Sequence, residues 1–106
     1  MAKRTFTKYP QGYIKAASNY QDDEANVWHI DFYRMISDLT PLYTVYVEAD
    51  TKEDAYSIGE QLAYVLGYNP EKIVVQFAHM SQMQFDEYYV PRKINDIQYF
   101  VRNKYT

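Results

Sequence analysis

One stretch limits the fold more than any other: Leu42 to Met80, reading LYTVYVEADTKEDAYSIGEQLAYVLGYNPEKIVVQFAHM. From Leu42 to Glu48 the residues alternate. Tyr43, Val45 and Val47 share one face, and Leu42, Thr44, Tyr46 and Glu48 share the other. Successive strand side chains point to opposite faces, so this is a strand with the Tyr43 face on the core. Asp50 and Thr51 then offer a side-chain oxygen to the unpaired amides that begin a helix. Glu53 and Asp54 place acid at the positive end of its dipole. Ala55, Ile58, Gly59, Leu62, Val65 and Leu66 trace one stripe at the helical period, and Gly67 followed by Pro70 ends it. A mid-helix glycine costs roughly 0.5–1 kcal/mol against alanine, so Gly59 predicts a close approach of helix to sheet. After Pro70 the chain is extended again, with Ile73, Val75 and Phe77 inward and Val74, Gln76 and Ala78 outward. Two strands joined by such a helix can lie parallel in one sheet with a right-handed crossover.

The flanks read less sharply. Residues 1–11 read as a flexible basic arm, and residues 12–106 as a single domain. Gly12 to Tyr20 suits a strand, and QDDEAN at 21–26 is a turn signal. Val27 to Arg34 alternates as a strand, with Trp28, Ile30 and Phe32 against His29, Asp31 and Tyr33. A rival reading opens a helix at Asp22–Glu24 and ends it before Pro41, but Val27 and Ile30 fit its stripe poorly. After Met80 the run SQMQFDEYYV reads as a loop or an edge strand. Ile94, Ile97 and Val101 beyond Pro91 suit a short C-terminal helix. The fold class that follows is α+β: a mixed or antiparallel sheet of four to five strands, with one main helix at about 52–66 and a short C-terminal helix on one face.

A chain of 106 residues is one ordinary domain, able to bury a core without metal or disulfide support. It holds no cysteine, which removes disulfides, thiolate metal sites and a thiol nucleophile. The opening MAKRTFTKYP has no apolar run, and no stretch is long and apolar enough for a membrane helix, so a cytoplasmic protein with no membrane contact is expected. The net charge of −3 hides a segregation. Residues 1–15 carry +4, residues 16–90 carry −10, and residues 91–106 carry +3. The 13 tyrosines exceed what a core this size needs, so some must coat the surface, where tyrosine is a favoured anchor for partners.

Catalytic signals are thin. His29 and Asp31 share a strand face, and a carboxylate can orient an imidazole as a general base. Only Tyr33 is added on that face, and no nucleophile stands beside the pair. His79 follows the core-facing register of its strand. A metal site from His29, Asp31 and His79 would need two strands to converge. Asp22, Asp23 and Glu24 lack the spacing and the glycine of a calcium loop, and Gly12, Gly59 and Gly67 build no phosphate loop. Met80, Met83, Phe77 and Phe85 form an apolar cluster that reads as core or as a partner groove. No cofactor, metal or catalytic set is expected.

The sequence thus points first to a non-catalytic interaction protein. It would bind a macromolecule, most simply a protein, through tyrosines and acids: Tyr13, Tyr33, Thr44, Tyr46 and Gln76 on the uncovered sheet face, and Glu53, Asp54 and Glu60 on the helix exterior. In its strong form such a surface inhibits a nucleic-acid-binding protein, as a phage or mobile-element product would. The alternative is a domain that binds single-stranded nucleic acid. It would grip phosphate with Lys3, Arg4, Lys8, Lys15, Arg92, Lys93, Arg102 and Lys104, and stack bases on the sheet tyrosines. An aromatic sheet face resembles the stacking platform of RNA-recognition domains in layout, without their basic-Gly-aromatic-Gly signature. A third reading is a small enzyme using His29 and Asp31. An edge strand from residues 81–90 would also allow a homodimer.

Overall fold

The computed structural model describes residues 23–103. The basic arm and the strand expected at Gly12–Tyr20 lie outside these residues. In chain order the elements are β1 (Val27–Phe32), β2 (Tyr43–Glu48), α1 (Lys52–Leu66), β3 (Ile73–Phe77), α2 (Gln82–Tyr88), β4 (Tyr89–Ile94) and β5 (Ile97–Arg102). The five described strands form one sheet in the order β3-β1-β2-β5-β4, with every neighbouring pair antiparallel. The α+β class stands, and Val27–Phe32 is a strand rather than part of a helix. β2 and β3 do run the same way, because each is antiparallel to β1, which lies between them.

α1 forms where its caps and stripe place it. The Thr51 hydroxyl accepts a hydrogen bond from the Asp54 amide at 3.1 Å. Gly67 ends the helix with a left-handed φ of 90°, and the Gly67 and Tyr68 amides both donate to the Ala63 carbonyl. Ala55, Gly59, Leu62 and Ala63 are buried against Ile30, Phe32, Val45, Val47, Ile73 and Val75, which form the main core. Gly59 is where helix meets sheet. A β-carbon there would lie 3.2 Å from side-chain atoms of both Ile30 and Ile73.

The second helix corrects the sequence expectation in both place and face. Residues 82–88 are neither loop nor edge strand. The Ser81 hydroxyl accepts from the Gln84 amide at 3.0 Å and starts α2. His79, with φ of 55°, turns the chain out of β3. Its side chain is mostly exposed and lies 3.5 Å from Glu24, not in the core. Residues 23–26 then hold the departing chain: Ala25 donates to Met80, and Gln82 donates to Asp23. α2 thereby comes to rest on the sheet face opposite α1. Phe85 packs there with Ala25, Val27, Met80 and Phe100 in a second, smaller core. Met83 is left partly exposed, and Phe77 sits edge-on against Trp28 instead.

Among the described residues no helix follows Pro91. Residues 89–102 form a hairpin, with Asn95 and Asp96 at φ of 48° and 66° closing a two-residue turn between the paired Ile94 and Ile97. The three- and four-residue intervals among Ile94, Ile97 and Val101 imitate a helix. The stronger pattern is alternation, with Tyr99 in the main core and Phe100 in the second. The segment proposed as a dimer edge is mostly α2, so its strand-pairing rationale falls away.

Two outcomes follow. Gly59→Val forces a branched side chain into the 3.2 Å contacts and should cost about 1–3 kcal/mol by overpacking, read as a lower melting temperature. Phe85→Ala should cost about 3–5 kcal/mol and raise amide exchange in α2 and β4 before α1. Uniform exchange across both helices would contradict the division into two cores.

Candidate functional site

The outer sheet face, away from α1, holds the first group of expected site residues. The β1–β2 register sets His29 opposite Tyr46 and Asp31 opposite Thr44. The Thr44 hydroxyl donates to Asp31 Oδ1 at 2.6 Å, and His29 Nδ1 lies 3.6 Å from the same oxygen. The His–Asp pair is therefore real, but its carboxylate is shared with Thr44. Gln76 is exposed beside His29 on β3, and Tyr33 lies just past the end of β1.

Tyr46 belongs to an aromatic cluster. Its ring meets Tyr89 edge-on at 4.7 Å between centroids and lies 6.1 Å from His29. Burial first, then the neighbouring Tyr89 phenol and Asp31, push the Tyr46 phenol up to about 12, while Arg102 pulls it down. Arg102 spreads over the rings of Tyr88 and Tyr89 at 5.4 and 5.7 Å. Phe85 of α2 stacks on Tyr89 at 5.5 Å and meets Phe100 edge-on at 4.7 Å. Of the tyrosines expected to receive bases, Tyr46 thus packs against Tyr89 and, through it, onto α2. At the far end of the sheet, Tyr43 stacks with Phe32 and Tyr68, and burial raises its phenol above the ordinary value.

The exterior of α1 differs. Tyr56, Glu60 and Tyr64 recur every four residues, which sets them one above another on a helix, and Glu53 lies one turn before Tyr56. Tyr64 is 74% exposed and Tyr56 38%. Glu53, Asp54 and Glu60 are exposed as well. The described residues hold 13 acids against Arg34, Lys52, Lys72, Arg92, Lys93 and Arg102, a balance of −7. Tyr56 and Tyr64 were not among the residues singled out by sequence. Their signal was present: they occupy the helix side opposite the apolar stripe.

The expected partner-binding residues consequently divide. Thr44, Tyr46 and Gln76 lie on the outer sheet face, while Glu53, Asp54 and Glu60 lie on the helix that covers the other face. Tyr13 is outside the described residues, as are Lys3, Arg4, Lys8, Lys15 and Lys104. The remaining basic candidates do not form one patch. Arg92 pairs with Tyr99 on the α1 side, whereas Lys93 and Arg102 lie on the outer face. Their rows are about 13 Å apart along the strands, at 3.3 Å per residue.

Compared with family models, curated proteins and solved structures, the chain matches none. Among the described residues no three His, Asp or Glu side chains gather as a metal site, and no helix is long and apolar enough to cross a membrane.

Tyr46 yields a pH prediction. Its phenol is pushed up to about 12 in the folded chain, from an ordinary value of 10.0. The neutral form is the one the fold favours, so its contribution is whole below pH 10 and is lost as pH rises toward the folded value. Tyr46→Phe, which cannot ionise, should lose stability less steeply than the parent between these limits in denaturant titrations. Equal slopes would place the phenol in an ordinary solvated setting.

Proposed function

We propose that this chain is a non-catalytic protein-interaction module whose main contact surface is the exterior of α1. The observation that carries this reading is Tyr64, three-quarters exposed on a capped helix whose same side presents Tyr56, Glu53 and Glu60. Tyrosine offers a large contact area at small cost in side-chain entropy, and its hydroxyl tolerates water before binding. Carboxylates around it steer a basic partner and exclude acidic ones. The −7 balance supports the strong form, in which the module occupies the basic groove of a nucleic-acid-binding protein and so inhibits it. An origin in a phage or mobile element and a cytoplasmic setting accord with that form.

The two other readings have less support. Nucleic-acid binding through the sheet needs free ring faces, and the sheet tyrosine Tyr46 is engaged edge-on by Tyr89. An enzyme based on His29 needs a nucleophile or bound substrate beside the imidazole. The neighbouring hydroxyl, Thr44, is committed to Asp31.

The test is affinity capture with three forms of the full chain: the parent, Tyr56→Ala/Tyr64→Ala, and Gln76→Ala on the opposite face. Truncating tyrosine anchors should lower capture of a specific partner about tenfold or more, since such hot spots exceed ~1 kcal/mol each. Gln76→Ala should capture as the parent does. Undiminished capture by the double variant, with its circular dichroism unchanged, would sink the proposal.

A further inference from the structure

A groove opens beside the junction of β2 and β5. The two strands share the register pair Tyr46 with Phe100, and Glu48 of β2 and Gln98 of β5 both line the groove. The gap continues between the first turns of α1 and the side of α2 and has a volume of about 1000 Å³. This is at the upper end of the roughly 300–1,000 Å³ typical of ligand clefts. Its walls have two characters. Ile58, Phe85 and Phe100 supply an apolar floor, and Asp50, Asp54 and Asp86 stand at its margins. Asp86 already accepts a hydrogen bond from the Gln82 side chain at 3.0 Å. No ion pair engages Asp50 or Asp54 among the described residues.

We infer that this groove receives a basic side chain, an arginine or lysine flanked by apolar residues, from a segment of a protein partner. An apolar floor beneath carboxylates suits a side chain whose stem is hydrocarbon and whose tip is a cation. Arginine fits best, because its planar fork can bond two carboxylate oxygens at once and is weakly hydrated. Lys52 lies two residues from both Asp50 and Asp54, and Lys93 is opposite Gln98 on the adjacent strand. Lys52 is exposed at the start of α1, and Lys93 points to the outer face. The inference rests on the protein-partner reading and gives the chemistry of that partner. The groove begins at the same first turn of α1 that carries Glu53 and Tyr56, so one partner can span both.

The experiment is a display selection with randomised peptides against the full chain. Three baits run in parallel: the parent, Asp50→Asn/Asp54→Asn, and Tyr56→Ala/Tyr64→Ala. The Asn substitutions keep side-chain shape at exposed positions, and circular dichroism checks each bait. Asp50→Lys serves as a second variant that places a cation at the groove margin. The parent should enrich sequences with arginine or lysine beside apolar residues, and both Asp variants should lose that enrichment at least tenfold. Basic peptides retained equally by the Asp variants, or no basic enrichment on the parent, would overturn the inference. Loss on the Tyr56→Ala/Tyr64→Ala bait alone would uphold the α1 surface and reject the groove. Loss on the Asp variants alone would do the reverse.

Discussion

The fold depends on a narrow seam. On one side of it, β3, β1 and β2 carry α1 and most of the main core, to which β5 adds Tyr99. On the other, β4 and β5 form a hairpin reached through α2. A single register pair, Tyr46 with Phe100, joins the two parts of the sheet. Aromatic packing reinforces this junction. Phe85, Tyr89, Phe100 and Tyr46 form a chain of ring contacts between 4.7 and 5.5 Å across the outer face. The groove lies along the same seam, lined by Glu48 of β2 and by Gln98 and Phe100 of β5.

This use of aromatic side chains decides which surfaces remain for a partner. Of the described tyrosines, Tyr99 is buried and Tyr46, Tyr68, Tyr88 and Tyr89 are half-buried in packing or cation contacts. Tyr64 and Tyr56 are not engaged in that way and project from α1 among acids. The sheet face, which looked in sequence like an open aromatic platform, is partly roofed by α2. The helix exterior, marked in the sequence only by the acids Glu53, Asp54 and Glu60, also holds the more exposed rings. The proposed contact surface therefore lies on the opposite side of the sheet from Tyr46.

Legibility in the sequence tracked the strength of local signals. Thr51, the apolar stripe and Gly67 each specify α1 on their own, and they agree, so its limits could be read directly. Gly59 even forecast the close contact with Ile30 and Ile73. α2 was written more briefly. Ser81 with Gln84 has the spacing of a capping box, but only seven helical residues follow, too few to show a periodic stripe. The hairpin was obscured because Asn95-Asp96 lacks the glycine that usually marks a two-residue turn. The two-sided burial of β1 was hidden for another reason. Val27 is buried because Ala25, Met80, Phe85 and Phe100 gather over it, a tertiary fact with no local trace. The pairing of His29 with Asp31 was visible from their spacing. The competing bond from Thr44 was not, since it depends on strand register.

The central claim is that the outer-face tyrosines hold the seam while those on α1 are free to meet a partner. Time-resolved iodination of the native chain, mapped by mass spectrometry, tests it most directly. Among the described tyrosines, modification should appear first at Tyr64, then at Tyr56, with Tyr46, Tyr89 and Tyr99 protected until the chain is unfolded. Labelling of Tyr46 and Tyr89 at the rate of Tyr64 under native conditions would contradict the account.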